Sequence, residues 1–291
     1  MNKKKKNNKI YLLALMPFLV ITFLFEVVPL IMVVCGSFMP ENEFGFTLQH
    51  YKDIFTMPLY QKAILNSITI SFTSSLIGII IAFLGAMAIH KSGEGSRIKE
   101  MFLIVLNMTS NFAGVPLAFA YMILLGNSGL MVQFGKAYGI DFLANYNLYT
   151  SSGLNMIYVY FQIPLSTLLM VPVFDGIRKE WQEASTLMGG SSLDFWGRVG
   201  IPVMLPGILG TISVLFANAL AAYATAYALL MNNYALLPIN VSGMFVGDVT
   251  QRKEMGGALS VVMMILMVAA ISINNYILKR SKSGKKGVST Q

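Results

Sequence analysis

The stretch Ala63–Ile89, AILNSITISFTSSLIGIIIAFLGAMAI, runs for 27 residues without an Asp, Glu, Lys or Arg. About 20 apolar residues in helical form cross the hydrocarbon core of a bilayer, so this run is long enough to span it. Five further runs share the character: Tyr11–Phe38, interrupted only by Glu26; Met101 to about Leu125; about Leu154 to Phe174; Met204–Met231 within the uncharged Val199–Gly247; and Met255–Leu278. All six read as helices. Only helices and closed barrels satisfy the backbone in lipid, and these runs are too long and too continuously apolar for barrel strands. The expected fold is therefore all-α, a polytopic membrane protein with six transmembrane helices.

Composition agrees. Of 291 residues, 55% are hydrophobic and 12% charged, where a soluble domain carries about 25% charge. So few charges cannot cover the surface of an independent water-soluble enzyme or nucleic-acid binder, which leaves the bilayer as the main solvent. The net charge of +8 then reads as topology. With the amino terminus inside, the inner segments hold Lys3, Lys4, Lys5, Lys6 and Lys9; Lys91, Arg97 and Lys99; Arg178, Lys179 and Arg198; and Lys279, Arg280, Lys282, Lys285 and Lys286. The outer side keeps Lys52, Lys62, Lys136, Arg252 and Lys253. By the positive-inside rule both termini are cytoplasmic, with basic tails at 1–10 and 279–291 flanking a membrane domain at 11–278. The tails read as anchors beside anionic lipid, with no nucleic-acid partner. The first apolar run exceeds a signal-peptide core and no A-x-A-like site follows it, so it reads as an uncleaved span.

Catalytic motifs are missing from the sequence. His50 and His90 fall on opposite sides of the expected topology, Cys35 is the single cysteine, and neither H-E-x-x-H nor G-x-S-x-G occurs. Nor does G-x-x-x-x-G-K-[ST], the loop that cradles nucleoside triphosphates. A chain of this kind that performs energised transport takes its energy from another subunit.

One loop stands apart. Between the fourth and fifth spans, Asp175–Pro202 reads DGIRKEWQEASTLMGGSSLDFWGRVGIP and contains both tryptophans, Trp181 and Trp196. It predicts two short helices separated by Gly189-Gly190: one from about Glu180 to Met188, the other capped by Ser191 or Ser192 and stopped before Pro202. Trp181, Ala184 and Met188 form a narrow apolar stripe on the first; an amphipathic hairpin lying in the membrane interface is the plainer alternative.

Glu183-Ala184-Ser185, Gly189 and Val199-Gly200-Ile201-Pro202 resemble the E-A-A-x3-G-x9-I-x-L-P signature of permease subunits in binding-protein-dependent ABC importers. The spacing agrees throughout; Ser185, Val199 and Ile201 replace alanine, isoleucine and leucine. The resemblance implies a cytoplasmic coupling helix within about 176–202 that docks on an ATPase, with Glu183 as its polar contact, Ala184 and Ser185 as small residues allowing close approach, Gly189 as the hinge, and Pro202 closing the motif. It further implies a second permease subunit, two cytoplasmic ABC ATPase subunits that carry ATP-Mg, an extracytoplasmic binding protein, no cofactor on this chain, and residence in a bacterial cell (inner or plasma) membrane.

Substrate-path candidates follow from polarity inside the spans. Glu26 is the only acidic residue there, and its plainer reading is a hydrated place near the outer end of the first span. Asn155, Tyr158, Gln162 and Ser166 draw a stripe down the fourth span; Asn107 and Asn111 precede Gly114 and Pro116 on the third, which loosen or kink it; Asn218 and Tyr223 add polarity to the fifth. Such groups glue helices together more often than they bind ligands, yet broken helices with polar stripes are where transporters hold substrate. The compact plan and the segments Asn66-Ser67 and Gly114–Ala118 look most like permeases of the polyamine, phosphonate and related small-ion group, with sugar permeases as runner-up. A secondary transporter or channel, needing inverted repeats or several buried ionisable groups, is the alternative class.

Overall fold

The computed structural model describes residues 15–41, 45–93, 95–246 and 252–286, with side chains as far as Lys279. The amino-terminal basic segment lies outside these residues. Among them the regular structure is helical throughout: α1 (Leu15–Gly36), α2 (Gln49–Thr56), α3 (Pro58–Lys91), α4 (Arg97–Ser110), α5 (Val115–Leu125), α6 (Leu130–Tyr138), α7 (Asp141–Ala144), α8 (Ser151–Asp175), α9 (Lys179–Leu187), α10 (Ser192–Leu220), α11 (Tyr223–Leu230), α12 (Leu237–Phe245) and α13 (Lys253–Lys286). Six stretches are long and apolar enough to cross a membrane: α1, α3, Val115–Tyr138, α8, α10 and Lys253–Lys279.

Two spans differ from the sequence reading. The run Met101–Leu125 is broken at Asn111–Gly114, where Gly114 takes φ +73° and Pro116 starts the next helix at a position that needs no backbone N–H. By length and composition the third candidate is instead Val115–Tyr138, itself interrupted between α5 and α6. The fifth span begins and ends earlier than Met204–Met231. Pro202 does not stop the loop's second helix, because a π-helical turn at Trp196–Gly200 leads straight into Ile201–Leu220 with Pro202 in the opening turn. The span then ends at Leu220, and α11 is a separate helix. The last span, Lys253–Lys279, agrees with Met255–Leu278, and its helix runs on to Lys286.

The chain divides into two compact units. One comprises the described residues of Met1–Gln61 with Asn240–Met264. In it Ser37 Oγ donates to Val34 O (2.6 Å) and meets Tyr51 Oη (2.7 Å), while Arg252 Nε donates to Glu41 Oε1 (2.5 Å). The Glu41 carboxylate holds the Arg252 guanidinium above its usual range. Gly257 lets α13 approach α1 closely: a Cβ there would lie 3.0 Å from Val33 O.

The other unit, Lys62–Ile239 with Ile265–Gln291, is organised around α8. One apolar cluster joins Leu154, Ile157 and Phe161 of α8 to Leu117 of α5 and to Ala226 and Leu229 of α11. A second joins Met170 and Phe174 to Ile89 of α3, Leu106 of α4, and Phe195, Met204 and Leu215 of α10. Lipid tails are as apolar as these side chains, so close contact and hydrogen bonding must hold the helices together. The α3–α8 seam shows how. Gly78 brings the two backbones so near that a Cβ would sit 2.9 Å from Gln162 Cβ. Around it Ser166 Oγ reaches Gly78 O (3.2 Å), Gln162 Nε2 reaches Ser75 Oγ (3.3 Å) and Leu215 O (2.8 Å), and Thr73 Oγ1 reaches Asn155 Oδ1 (3.1 Å).

Gly78→Ala should therefore push α3 from α8 and cost about 1–3 kcal/mol, lowering the thermal unfolding midpoint in detergent. Gly85→Ala is the control, because its Cβ would meet Thr167 Cγ2 at an ordinary 3.5 Å; equal midpoints in the two variants would contradict the close seam.

Candidate functional site

The most exposed feature of the larger unit is the hairpin of α9 and the start of α10. Its first turn follows Arg178, whose guanidinium carbon stands 5.9 Å from the centre of the Trp181 ring. The helix buries none of its residues. It ends in a Schellman motif: Gly190 N donates to Ser185 O (2.9 Å) and Gly189 N to Thr186 O (2.9 Å), with Gly189 at φ +79°. Gly189 meets no atom within 4 Å of a built Cβ, so backbone conformation alone demands glycine there. Gly190 has the opposite reason, since a Cβ would lie 2.8 Å from Ser185 Oγ and 2.9 Å from Ser185 O.

Ser191 caps α10 through a capping box: Asp194 N donates to Ser191 Oγ (3.2 Å) and Ser191 N to Asp194 Oδ2 (3.1 Å). At the tip, Leu187, Met188 and Leu193 are 89%, 82% and 84% exposed. Three neighbouring apolar side chains thus stand open at the glycine turn. The stripe Trp181, Ala184 and Met188 lines a cleft of about 660 Å³ facing Val199 and Val203 of α10, whereas Glu183 lines a separate cleft with His90, Lys91 and Lys179.

The base of the hairpin is fixed. Phe195 is buried, and Trp196 packs near Phe174 (5.9 Å) and Phe83 (6.5 Å). Gly200 makes room for the indole, as a Cβ would approach Trp196 Cε3 to 2.5 Å. Asp175, closing α8, accepts from Lys99 Nζ (3.5 Å) of α4 and pairs with His90 Nδ1 (3.2 Å) of α3. Displacing the hairpin therefore loads three helices. The sequence uses Gly190 only as part of the break between the two short helices, and Leu187, Leu193 and the His90–Asp175–Lys99 node carry no signal in it. A doubled glycine signals the first; the node joins residues too far apart in the chain for spacing to show.

The path candidates separate by burial. Tyr158 and Gln162 are buried and act as ties: Tyr158 Oη donates to Ala222 O (2.5 Å), and the Gln162 amide bridges α3 and α10. Asn155 accepts from Thr73 Oγ1. Asn107, Asn111 and Asn218 are exposed. Asn107 and Asn111 donate along their own helix, to Leu103 O and Asn107 O. Two helix breaks meet beside them: Thr225 Oγ1, in the first turn of α11, donates to Gly114 O (3.3 Å) at the α4–α5 break. Irregular backbone at membrane depth belongs where protein or a water-filled cavity covers it. In the smaller unit Glu26 is exposed and lies in a π-turn, Phe23–Val27, at the middle of the described span Leu15–Gly36 and not near its end.

No family model matches the chain. A probable sulfate transport system permease protein, cysT, of Helicosporidium sp. subsp. Simulium jonesii is 23% identical over 236 residues, covering 80% of this chain and 82% of that one. The spermidine/putrescine transport system permease protein PotB of Haemophilus influenzae is 22% identical over 254 residues, 86% and 87% of the two chains. Among solved structures, a bacterial ABC transporter that imports the acidic polysaccharide alginate matches with a TM-score of 0.74 at 15% identity, covering 96% of this chain and 98% of that one. The MetNI methionine ABC transporter matches with 0.58 at 14%, covering 78% and 99%. The fold is that of ABC transporter membrane subunits. The curated relatives, 22–23% identical, are permease proteins, and together with the fold they support a reading of this chain as a binding-protein-dependent ABC importer permease. Its relatives within that class include sulfate and spermidine/putrescine permeases.

The glycine pair gives a test of the hairpin alone. Gly189→Val forces a β-branched residue into left-handed backbone at a cost of about 1–3 kcal/mol, and should speed trypsin cleavage at Arg178, Lys179 or Arg198 in the membrane-embedded protein while membrane insertion stays intact. Unchanged cleavage would show that the motif does not hold the tip.

Proposed function

We propose that this chain translocates a small polar ion as the membrane-spanning subunit of an ATP-driven importer, paired with a second permease subunit and driven by two cytoplasmic ATPase subunits. The exposed, glycine-locked hairpin Lys179–Leu193 carries the reading: its apolar tip is open, and its base is tied to α3, α4 and α8 through Asp175 and to α3 and α8 through Trp196. Closure of an ATPase dimer around α9 becomes a rigid-body movement of the helices behind it, and the spans reorient between outward and inward access. Glu183 makes the polar contact, Ala184 and Ser185 allow close approach, Gly189 sets the turn, and Pro202 starts the helix that receives the motion. ATP-Mg is bound by the partner subunits. An extracytoplasmic binding protein delivers the substrate; a solved structure of similar fold is a bacterial alginate ABC transporter in complex with an alginate pentasaccharide-bound periplasmic protein.

For the solute we favour the polyamine, phosphonate and small-anion range over sugars. Sulfate and spermidine/putrescine permeases are among the relatives matched along most of the chain, while the alginate importer shares the fold at 15% identity. The exposed Asn107, Asn111 and Asn218 give a neutral amide path suited to a small ion of either sign, and Glu26 inside the first span favours a cation.

In the full importer, Glu183→Lys and Leu187→Asp should leave the chain in the membrane yet abolish uptake, with the ATPase subunits lost on purification or hydrolysing ATP without transport. Normal uptake in both variants overturns the coupling assignment. Competition of uptake by spermidine, sulfate, methylphosphonate and maltose then orders the substrate classes; maltose alone competing would select the sugar reading.

A further inference from the structure

We propose that α6 is an interfacial helix whose Leu130–Phe134–Tyr138 face rests on the lipid surface. The proposal rests on the reading of the chain as a membrane protein, and not on its coupling to an ATPase. At about 1.5 Å per residue, the 9 residues of α6 extend only some 13 Å, far short of a bilayer core. They are not needed for a crossing either. The 14 residues of α4 and 11 of α5 together reach about 37 Å, which exceeds a core of about 30 Å, and both pack along α8. The apolar stretch Val115–Tyr138 thus contains a spare helix beyond the end of α5.

Glycines place that helix. At Gly126 a Cβ would lie 2.4 Å from Met122 O, and at Gly129 2.6 Å from Leu124 O, so the turn is wrapped tightly on the last residues of α5. At Gly135 a Cβ would lie 2.6 Å from Ala144 N, so α7 presses on the other side. Val132 and Gly135 are buried in this contact. What remains outward is divided sharply. Leu130, Met131, Phe134 and Tyr138 fall within about 100° of helix surface at 100° per residue and are all exposed. Gln133 and Lys136, also exposed, fall outside that arc, about 60° and 120° beyond Leu130. Phe134 and Tyr138 stand 4.4 Å apart, ring to ring.

Lipid is the occupant this face fits. It adjoins α5, which presents exposed apolar Phe119 and Ile123 and with α4 is long enough to cross a bilayer. It carries no charge, and it ends in a tyrosine, the residue whose amphipathic ring suits the headgroup level. Gln133 flanks it and Lys136 lies further round, the arrangement of a helix lying in the interface plane. A face meant for a soluble protein partner would bring polar groups to its rim.

Because Cys35 is the sole cysteine, Cys35→Ser gives a background for single labels. Nitroxides at Phe134→Cys, Tyr138→Cys, Gln133→Cys and Lys136→Cys, in phosphatidylcholine–phosphatidylglycerol nanodiscs, report access to oxygen, which enriches in lipid, against a water-soluble nickel chelate. The oxygen-to-nickel ratio should be several-fold higher at 134 and 138 than at 133 and 136. Equal ratios, or nickel access at 134 and 138, overturn the proposal and assign the face to water or a protein partner. Ile123→Cys on α5 serves as the reference: oxygen access there with nickel access at 134 sinks the interfacial helix alone, whereas nickel access at both sinks the membrane placement of this region with it.

Discussion

Helices in lipid gain little by hiding apolar surface from one another, so this protein depends on the close approach of α3 to α8 at Gly78. That glycine brings Gln162, Ser166 and Ser75 into mutual reach and lets the Gln162 amide extend to the Leu215 carbonyl on α10. Three long helices are fastened by one absent side chain and a few hydrogen bonds, each worth about 1 kcal/mol or less in such surroundings. The bonds are short in range but demanding in geometry. They therefore fix which helices are neighbours and leave their ends free to differ.

The ends do differ. At one, the aromatic group Phe83, Phe174, Trp196 and the His90–Asp175–Lys99 node clamp the base of the hairpin. Elsewhere the helices come apart into short pieces, and the α4–α5 break meets the start of α11 at Gly114 and Thr225. A stiff base and a fragmented bundle suit a device that takes a push at one place and yields at another. The division follows from residue type: large aromatics, with two rotatable side-chain bonds, build the stiff part, and Gly and Pro build the part that yields.

The six apolar runs were legible because lipid imposes a length and a charge rule with few exceptions, and the hairpin was legible because Gly189-Gly190 is an unusual pair in front of a serine cap. Boundaries were less legible. Pro202 reads as a stop, since proline removes a helix hydrogen bond, but a π-turn just ahead of it places the ring in an opening turn where no bond is lost. The polar stripe on α8 could be read only as far as its periodicity. Whether Tyr158 faces a cavity or the Ala222 carbonyl depends on where α10 ends, 64 residues away in sequence, and no local pattern encodes that. Asn107, Asn111 and Asn218 stay outward for the same reason: the breaks next to them, not the asparagines, decide what they face.

The π-turn at Trp196–Gly200 has a geometric meaning of its own. A wide turn holds one residue more than the α-helical turn it replaces, and each residue of a helix advances the azimuth by about 100°. The direction in which the α9 tip points, measured around the axis of α10, is therefore set in whole-residue steps and not by gradual bending. Gly197, with open space where a side chain would be, is the place where such a step fits at least steric cost. In a chain of this design the bearing of the hairpin tip is a counted quantity, written in the number of residues between Ser191 and Pro202.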